Sequence, residues 1–239
     1  MKYFLTSSAN IPESYKVNTA NGFIENLKNA LGKTTIKTLY ISSDPDAYEL
    51  TDDFSSYTKL GFEEVGLHFD PFIIFDYRQT VDIQEYLNEV DLVILSGGHV
   101  PTQNQFFQEI QLAEKLQSFE GVIIGISAGT MNAAETVYAH PELEGESINL
   151  EYQRFLKGLG LTTKQVIPHY NFLKYDYLDG KHVIKEIATE DSMNQEFYIF
   201  PDGTYIYGHD GIEELYGEAY LLKDKIFKKI NTNDQIITL

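Results

Sequence analysis

The chain contains no cysteine. That absence excludes disulfides, thiolate metal sites and a cysteine nucleophile together, and it fits a reducing compartment. Basic residues are scarce: 18 Lys and Arg stand against 36 Asp and Glu, a net charge of −18. A field of that sign repels phosphodiester backbones and anionic lipid surfaces, so neither nucleic acid nor a membrane is an expected partner. A solvated acidic surface is sufficient reason for the charge. Arginine occurs at two positions, Arg78 and Arg154. Runs of about 18 apolar residues, the length needed to span a bilayer, are missing, and the apolar stretch within Met1–Ala9 is too short for a signal peptide. These absences predict a soluble cytoplasmic protein. With no repeat, low-complexity tract or linker, and with 43% hydrophobic residues in 239, a single domain over residues 1–239 is expected; a boundary before residue 195 is the alternative.

What is present is a rhythm. Through roughly the first 135 positions, short β-rich apolar runs alternate with amphipathic stretches of helical length, which predicts βαβ units and a parallel sheet flanked by helices. Strands are expected at 3–6, 36–41, 72–76, 91–95 and 121–125. Helices are expected near 22–31, 53–65, 83–90 and 103–118. Gln165-Val166-Ile167 reads as a further strand, ended by Pro168-His169. Beyond Glu196 the texture changes: Phe197–Phe200 and Thr204–Tyr207 read as a hairpin turned by Asp202-Gly203. Tyr220–Leu222 and Lys225–Phe227 read as another, adding antiparallel structure at one edge of the parallel sheet. The fold class is therefore α/β, with a mostly parallel sheet, helices on both faces and C-terminal antiparallel hairpins.

The chemistry concentrates at Gly125-Ile126-Ser127-Ala128-Gly129, where an apolar strand runs directly into a helix-compatible stretch. This is the pattern of a nucleophile elbow. The sharp turn forces the serine backbone into a strained conformation and requires small residues beside it. The hydroxyl then projects from the carboxyl end of the sheet, and the Ala128 N–H is available to an oxyanion. Gly98, in the Ser96-Gly97-Gly98 turn after the preceding central strand, can present a second oxyanion donor. His99 beside it is a candidate substrate contact. Serine needs a base, normally histidine. Among the six histidines, His68, His140 and His209 lie in polar or loop-like surroundings and His182 in a predicted helix. His169 stands out because a strand ending in Pro-His sets the imidazole at a sheet edge.

Ile124–Gly129, Leu95–Gly98 and Ile167–Tyr170, with Pro201-Asp202-Gly203 and Leu215–Tyr220 near the close, resemble the peptidase E and cyanophycinase family of serine peptidases from Tyr3 to about Ile230. The resemblance implies a sheet like that of class I glutamine amidotransferases, with serine in place of cysteine at the elbow. It makes Ser127 the nucleophile and His169 the general base. It puts the acidic third member in the loop after the elbow helix, where Glu142 is the choice by position, Glu144 is next and Glu146 is the third carboxylate available. The implied substrate is a dipeptide or short peptide, with an aspartyl dipeptidase-like choice of an acidic first residue among the expectations, cleaved by a monomer or homodimer that uses no metal or organic cofactor.

Two departures bear on the substrate. Members of the family commonly carry Gly-Gly-Gly-Asn where this chain has Ser96-Gly97-Gly98-His99. Its aspartyl dipeptidases pair the substrate carboxylate with a cation, often arginine, whereas the stretch after His169 offers Lys174, Lys181 and Lys185. Two other readings stand beside the peptidase. One is an α/β-hydrolase esterase, which shares the chain order but normally carries its histidine nearer the C-terminus than 42 positions past the serine. The other is a catalytically silent protein that binds an amino acid.

Overall fold

The computed structural model describes residues 1–11, 14–233 and 235–239. Its centre is formed by β1 (Lys2–Thr6), β2 (Thr35–Ile41), β3 (His68–Phe75), β4 (Leu92–Leu95) and β5 (Val122–Ile126), hydrogen-bonded side by side in the order β1-β5-β4-β2-β3 and parallel throughout. All four residues of β4 are buried. That follows from helices covering both faces, so that no face needs a polar row.

Side chains alternate between the two covers, as the two-residue period of a strand requires. Phe4, Ile36, Tyr40, Ile94 and Ile124 share one cluster with Phe23, Ile24 and Leu27 of α1 (Phe23–Leu31) and Phe62 of α2 (Tyr48–Glu64). Leu39, Ile41, Val93, Leu95 and Ile123 face the other way, against α3 (Ile83–Leu87), α4 (Val100–Glu109) and α5 (Leu112–Lys115). Each such buried side chain is worth roughly 1.5–3 kcal/mol relative to exposure. Together they explain why the sheet register is fixed: a slip of one residue would send every one of these side chains to the wrong cover.

The predicted elements are found with shifted ends. α2 starts at Tyr48 rather than near residue 53; the face buried by its first turns is polar, so no apolar period marks that start. Thr51, Ser55 and Thr58 are buried there, and Thr51 Oγ1 lies 2.8 Å from Ser42 Oγ. β3 begins at His68 and includes Pro71; it is the edge strand, where a missing N–H costs no ladder bond. The single helix expected over 103–118 is broken. α4 starts at Val100 with Pro101 in its first turn, and the chain passes through Gln111 at φ 54° before α5.

The C-terminal part differs more. Phe197–Phe200 and Thr204–Tyr207 do not form a hairpin. The strand Tyr205–His209 lies antiparallel beside β1, followed outward by Ile212–Tyr216 and Ile236–Thr238, completing an eight-stranded, mostly parallel sheet. The strand Glu196–Ile199 belongs to a separate four-stranded sheet, between Gln165–Ile167, with which it runs parallel, and Ala219–Lys223. The second expected hairpin is present: Ala219–Lys223 and Ile226–Asn231 pair antiparallel, turning through Asp224 and Lys225, both at positive φ. Among the described residues no helix is long and apolar enough to cross a membrane.

Candidate active site

β5 ends at Ile126 and the chain turns through Ser127 into the short helix Ala128–Asn132. Ser127 has φ 50° and ψ −108°, a conformation that costs a non-glycine residue of order 1–3 kcal/mol and must be held by its surroundings. The carbonyl of Thr6, at the end of β1, holds it. It accepts the Ser127 N–H at 3.2 Å and the Thr130 hydroxyl at 2.8 Å. Gly129 is required by close approach, since a Cβ there would lie 2.3 Å from the Leu95 carbonyl oxygen. Gly98 is required by its backbone, at φ +156°, and by Ser43 Oγ, 2.2 Å from where its Cβ would be. The Gly98 N–H donates no hydrogen bond among the described residues. Ala128 opens its helix, so its N–H has no intrahelical acceptor.

Ser127 Oγ lies 2.9 Å from His169 Nε2, and His169 Nδ1 lies 2.8 Å from Asp202 Oδ1. The Asp202 carboxylate can only accept, so Nδ1 carries the ring proton and Nε2 is left to accept from the serine. Burial alone pushes the Asp202 carboxyl up, but the hydrogen bond and charge of His169 and the Ser7 hydroxyl outweigh it and hold Asp202 below the usual carboxylate range. Ser7 ties the group together. Its hydroxyl donates to Asp202 Oδ1 at 2.7 Å and accepts the His169 N–H at 2.8 Å. His169 itself sits at φ 58°, ψ 34°.

The topology explains this convergence. Ser7 follows β1, Ser127 follows β5 and Gly97-Gly98 follow β4, all at the carboxyl ends of parallel neighbours. His169 and Asp202 follow the carboxyl ends of the parallel pair Gln165–Ile167 and Glu196–Ile199, in register at Ile167 and Ile199. The two sheets meet there: Ser7, just beyond β1 of the larger sheet, accepts at its hydroxyl the backbone N–H of His169, just beyond Gln165–Ile167 of the smaller, at 2.8 Å. Crevices beyond the carboxyl ends of strands are where open α/β sheets bind their ligands. Here a cleft of about 770 Å³ opens onto Ser127 and His169, with Gly97 and Gly98 among its lining residues.

The sequence model of peptidase family S51 matches residues 3–215. The chain belongs to peptidase family S51. Its fold is similar over 96% of its length to 98% of a chain described as a putative peptidase E protein from Listeria monocytogenes EGD-e, in a 1.5 Å crystal structure, with a TM-score of 0.58 at 17% identity. None of the curated proteins matches the chain. Membership in a peptidase family makes this S51 chain a hydrolase by family and leaves the esterase reading without support.

The other site residues expected from the sequence are dispersed. In this S51 peptidase Glu142 approaches His140 Nε2 at 3.8 Å, not His169. Glu146 accepts the backbone N–H groups of Glu142 and Leu143 and lies 3.0 Å from His99 Nε2. Glu144 is exposed. Asp202 therefore occupies the position beside His169 that the sequence reading gave to Glu142, because the loop after the elbow helix is tied down elsewhere. Asp179 accepts from the Gly145 and Ser147 N–H groups at 2.7 and 3.0 Å. His99 has both ring nitrogens engaged, with Thr102 at 2.8 Å and with Glu146, and does not line the cleft. His140 is buried rather than on the surface, and burial lowers its pKa. His182 stands just before a helical segment, Val183–Ala188, and caps it by accepting the Lys185 N–H. Ser7 was missed altogether, and a lone serine after an N-terminal strand gives no sequence signal.

Burial and the charge on Glu146 push the Glu142 carboxyl up to about 7. A raised carboxyl pKa means that folding favours the protonated form. Its contribution to stability is then lost as pH rises from the ordinary carboxylate range through about 7. Its side chain keeps 28% exposure, so the penalty at high pH is discounted for screening to about 1 kcal/mol. Glu142→Gln is expected to raise Tm by roughly 2–4 °C at pH 8 and to leave it unchanged at pH 4. Calorimetry at the two pH values checks this, and an equal shift at both would show that the carboxyl charge is not the cause.

Proposed function

We propose that the protein is a serine peptidase of dipeptides or short peptides, acting through an acyl-enzyme on Ser127. The observation that carries this reading is the unbroken chain from Ser127 Oγ to His169 Nε2 at 2.9 Å and from His169 Nδ1 to Asp202 at 2.8 Å, built on a strained elbow. His169 Nε2 takes the hydroxyl proton as Oγ bonds to the peptide carbonyl carbon. The Gly98 and Ala128 N–H groups receive the developing oxyanion, each donor being worth about 10²–10³ in rate. The intermediate collapses with cleavage of the C–N bond, and His169 returns the proton to the leaving amine. Water, deprotonated by the same nitrogen, then releases the acyl group. Asp202 fixes the tautomer and stabilises the imidazolium, and Ser7 fixes Asp202.

Small peptides are the partners this site suits; the net charge of −18 argues against nucleic acid, and the lack of cysteine fits a cytoplasmic setting. The test is covalent. A fluorophosphonate probe is expected to add one phosphonyl group at Ser127, located by peptide mass mapping. An unreacted Ser127 in folded protein would overturn the proposal.

A further inference from the structure

Resting on that reading of Ser127, we propose that the cleft selects peptides carrying an aromatic or large aliphatic residue beside the scissile bond, and not an acidic one. The walls decide this. Ile11, Tyr15, Tyr40, Phe54, Tyr57 and Ile126 line the cleft together with Ser127, His169 and the two glycines. Phe54 and Tyr57 project from α2, 47% and 53% exposed, with Tyr15 at 42% and Ile11 at 45%. Four large apolar side chains held in water on the rim of one cleft form a patch that a monomeric surface rarely carries without a ligand. The Tyr40 hydroxyl, pushed up to about 12 by burial, remains a neutral phenol at the cleft floor.

No Lys or Arg is among the described lining residues. Both arginines are committed elsewhere. Arg78 forms hydrogen bonds to Asp52 and Asp76 at 2.6–3.0 Å, and Arg154 pairs with Asp191 at 3.5 Å and donates to the Ser147 carbonyl. Lys174 lies over the rings of Tyr170 and Tyr175. An acidic side chain entering this cleft would lose water and gain no cation, under the field of a chain of net charge −18. An aromatic or branched aliphatic side chain would instead cover the exposed rings and be removed from water with them, the arrangement in which apolar contact and ring pairing both favour binding.

The experiment measures kcat/KM for Phe-Ala, Leu-Ala, Ala-Phe and Ala-Leu beside Asp-Ala, Ala-Asp and Ala-Ala, with the fluorophosphonate adduct on Ser127 scored in the same preparation. At least one aromatic or aliphatic placement is expected to exceed Ala-Ala and both acidic dipeptides by about 10-fold or more, the size of discrimination an apolar pocket gives. Tyr57→Ala and Phe54→Ala, at exposed positions outside the core, are each expected to remove much of that advantage over Ala-Ala. A labelled Ser127 with equal or better cleavage of acidic dipeptides, or with no cleavage of the apolar ones, overturns this specificity and leaves the nucleophile standing. Retention of the full preference in both variants overturns it as well. An unlabelled Ser127 removes the reading on which it rests, and the specificity with it.

Discussion

Ser127→Ala is expected to lower kcat/KM for peptide hydrolysis by about 10⁴- to 10⁶-fold, the scale seen when a serine nucleophile is removed while its oxyanion donors stay. The backbone is held independently of the side chain, through the Ser127 N–H on the Thr6 carbonyl and the Thr130 hydroxyl on the same oxygen. Loss of one hydroxyl therefore leaves the elbow in place, and the thermal midpoint should match the wild type within a degree or two, roughly the span of a small surface change. The comparison is made at saturating and limiting substrate, so that loss of chemistry is separated from loss of binding. A variant within about tenfold of the wild type would mean that Ser127 is not the attacking group.

Asp202→Asn carries the second large effect. The Asp202 carboxylate accepts from His169 Nδ1 at 2.8 Å and from Ser7 Oγ at 2.7 Å. Both contacts fall on the one oxygen, Oδ1, so an amide NH₂ in its place would face the imidazole, and an amide oxygen in its place would carry no charge to stabilise the imidazolium. With the NH₂ inward the ring carries its proton on Nε2, where it opposes acceptance from Ser127; with the oxygen inward the imidazolium loses its counter-charge, and kcat should fall about 10³- to 10⁴-fold with little change in KM. Glu142→Gln, made in parallel, is expected to stay within about threefold of wild-type kcat, because its carboxylate lies by His140, at 3.8 Å, and not by His169. The reverse ranking, with Glu142→Gln severe and Asp202→Asn mild, would falsify the assignment of the acid.

The difference between these two carboxylates shows how far the sequence could be read. The elbow was legible because its requirement is local: small residues beside a serine between an apolar strand and a helix follow from one turn of backbone. His169 was legible for a related reason, as Pro168-His169 ends a short apolar strand. Asp202 was visible only within the Pro201-Asp202-Gly203 turn, with no catalytic role attached to it. Its role depends on Glu196–Ile199 pairing in parallel with Gln165–Ile167 while Tyr205–His209 crosses to β1. That pairing joins segments about 30 residues and more apart, and no local pattern encodes it. Ser7 is a stronger instance, since it meets Asp202 across 195 positions of chain. α2 shows the same limit in the fold: its first turns pack through Thr51, Ser55 and Thr58, so no hydrophobic period announced its start at Tyr48.

The sequence by itself determined the parallel α/β core, the strained serine turn and the lack of any thiol chemistry. Each follows from short-range rules: strand and helix periods, the small side chains a sharp turn admits, and the absence of a residue type. The tertiary structure decided which carboxylate stands behind His169, which hydroxyl steadies it, and which rings line the cleft that opens on Ser127. Those are properties of strand order and of loops meeting at the carboxyl ends of two sheets. They are set by how the buried faces pack across the whole molecule, and a one-dimensional pattern does not carry that information.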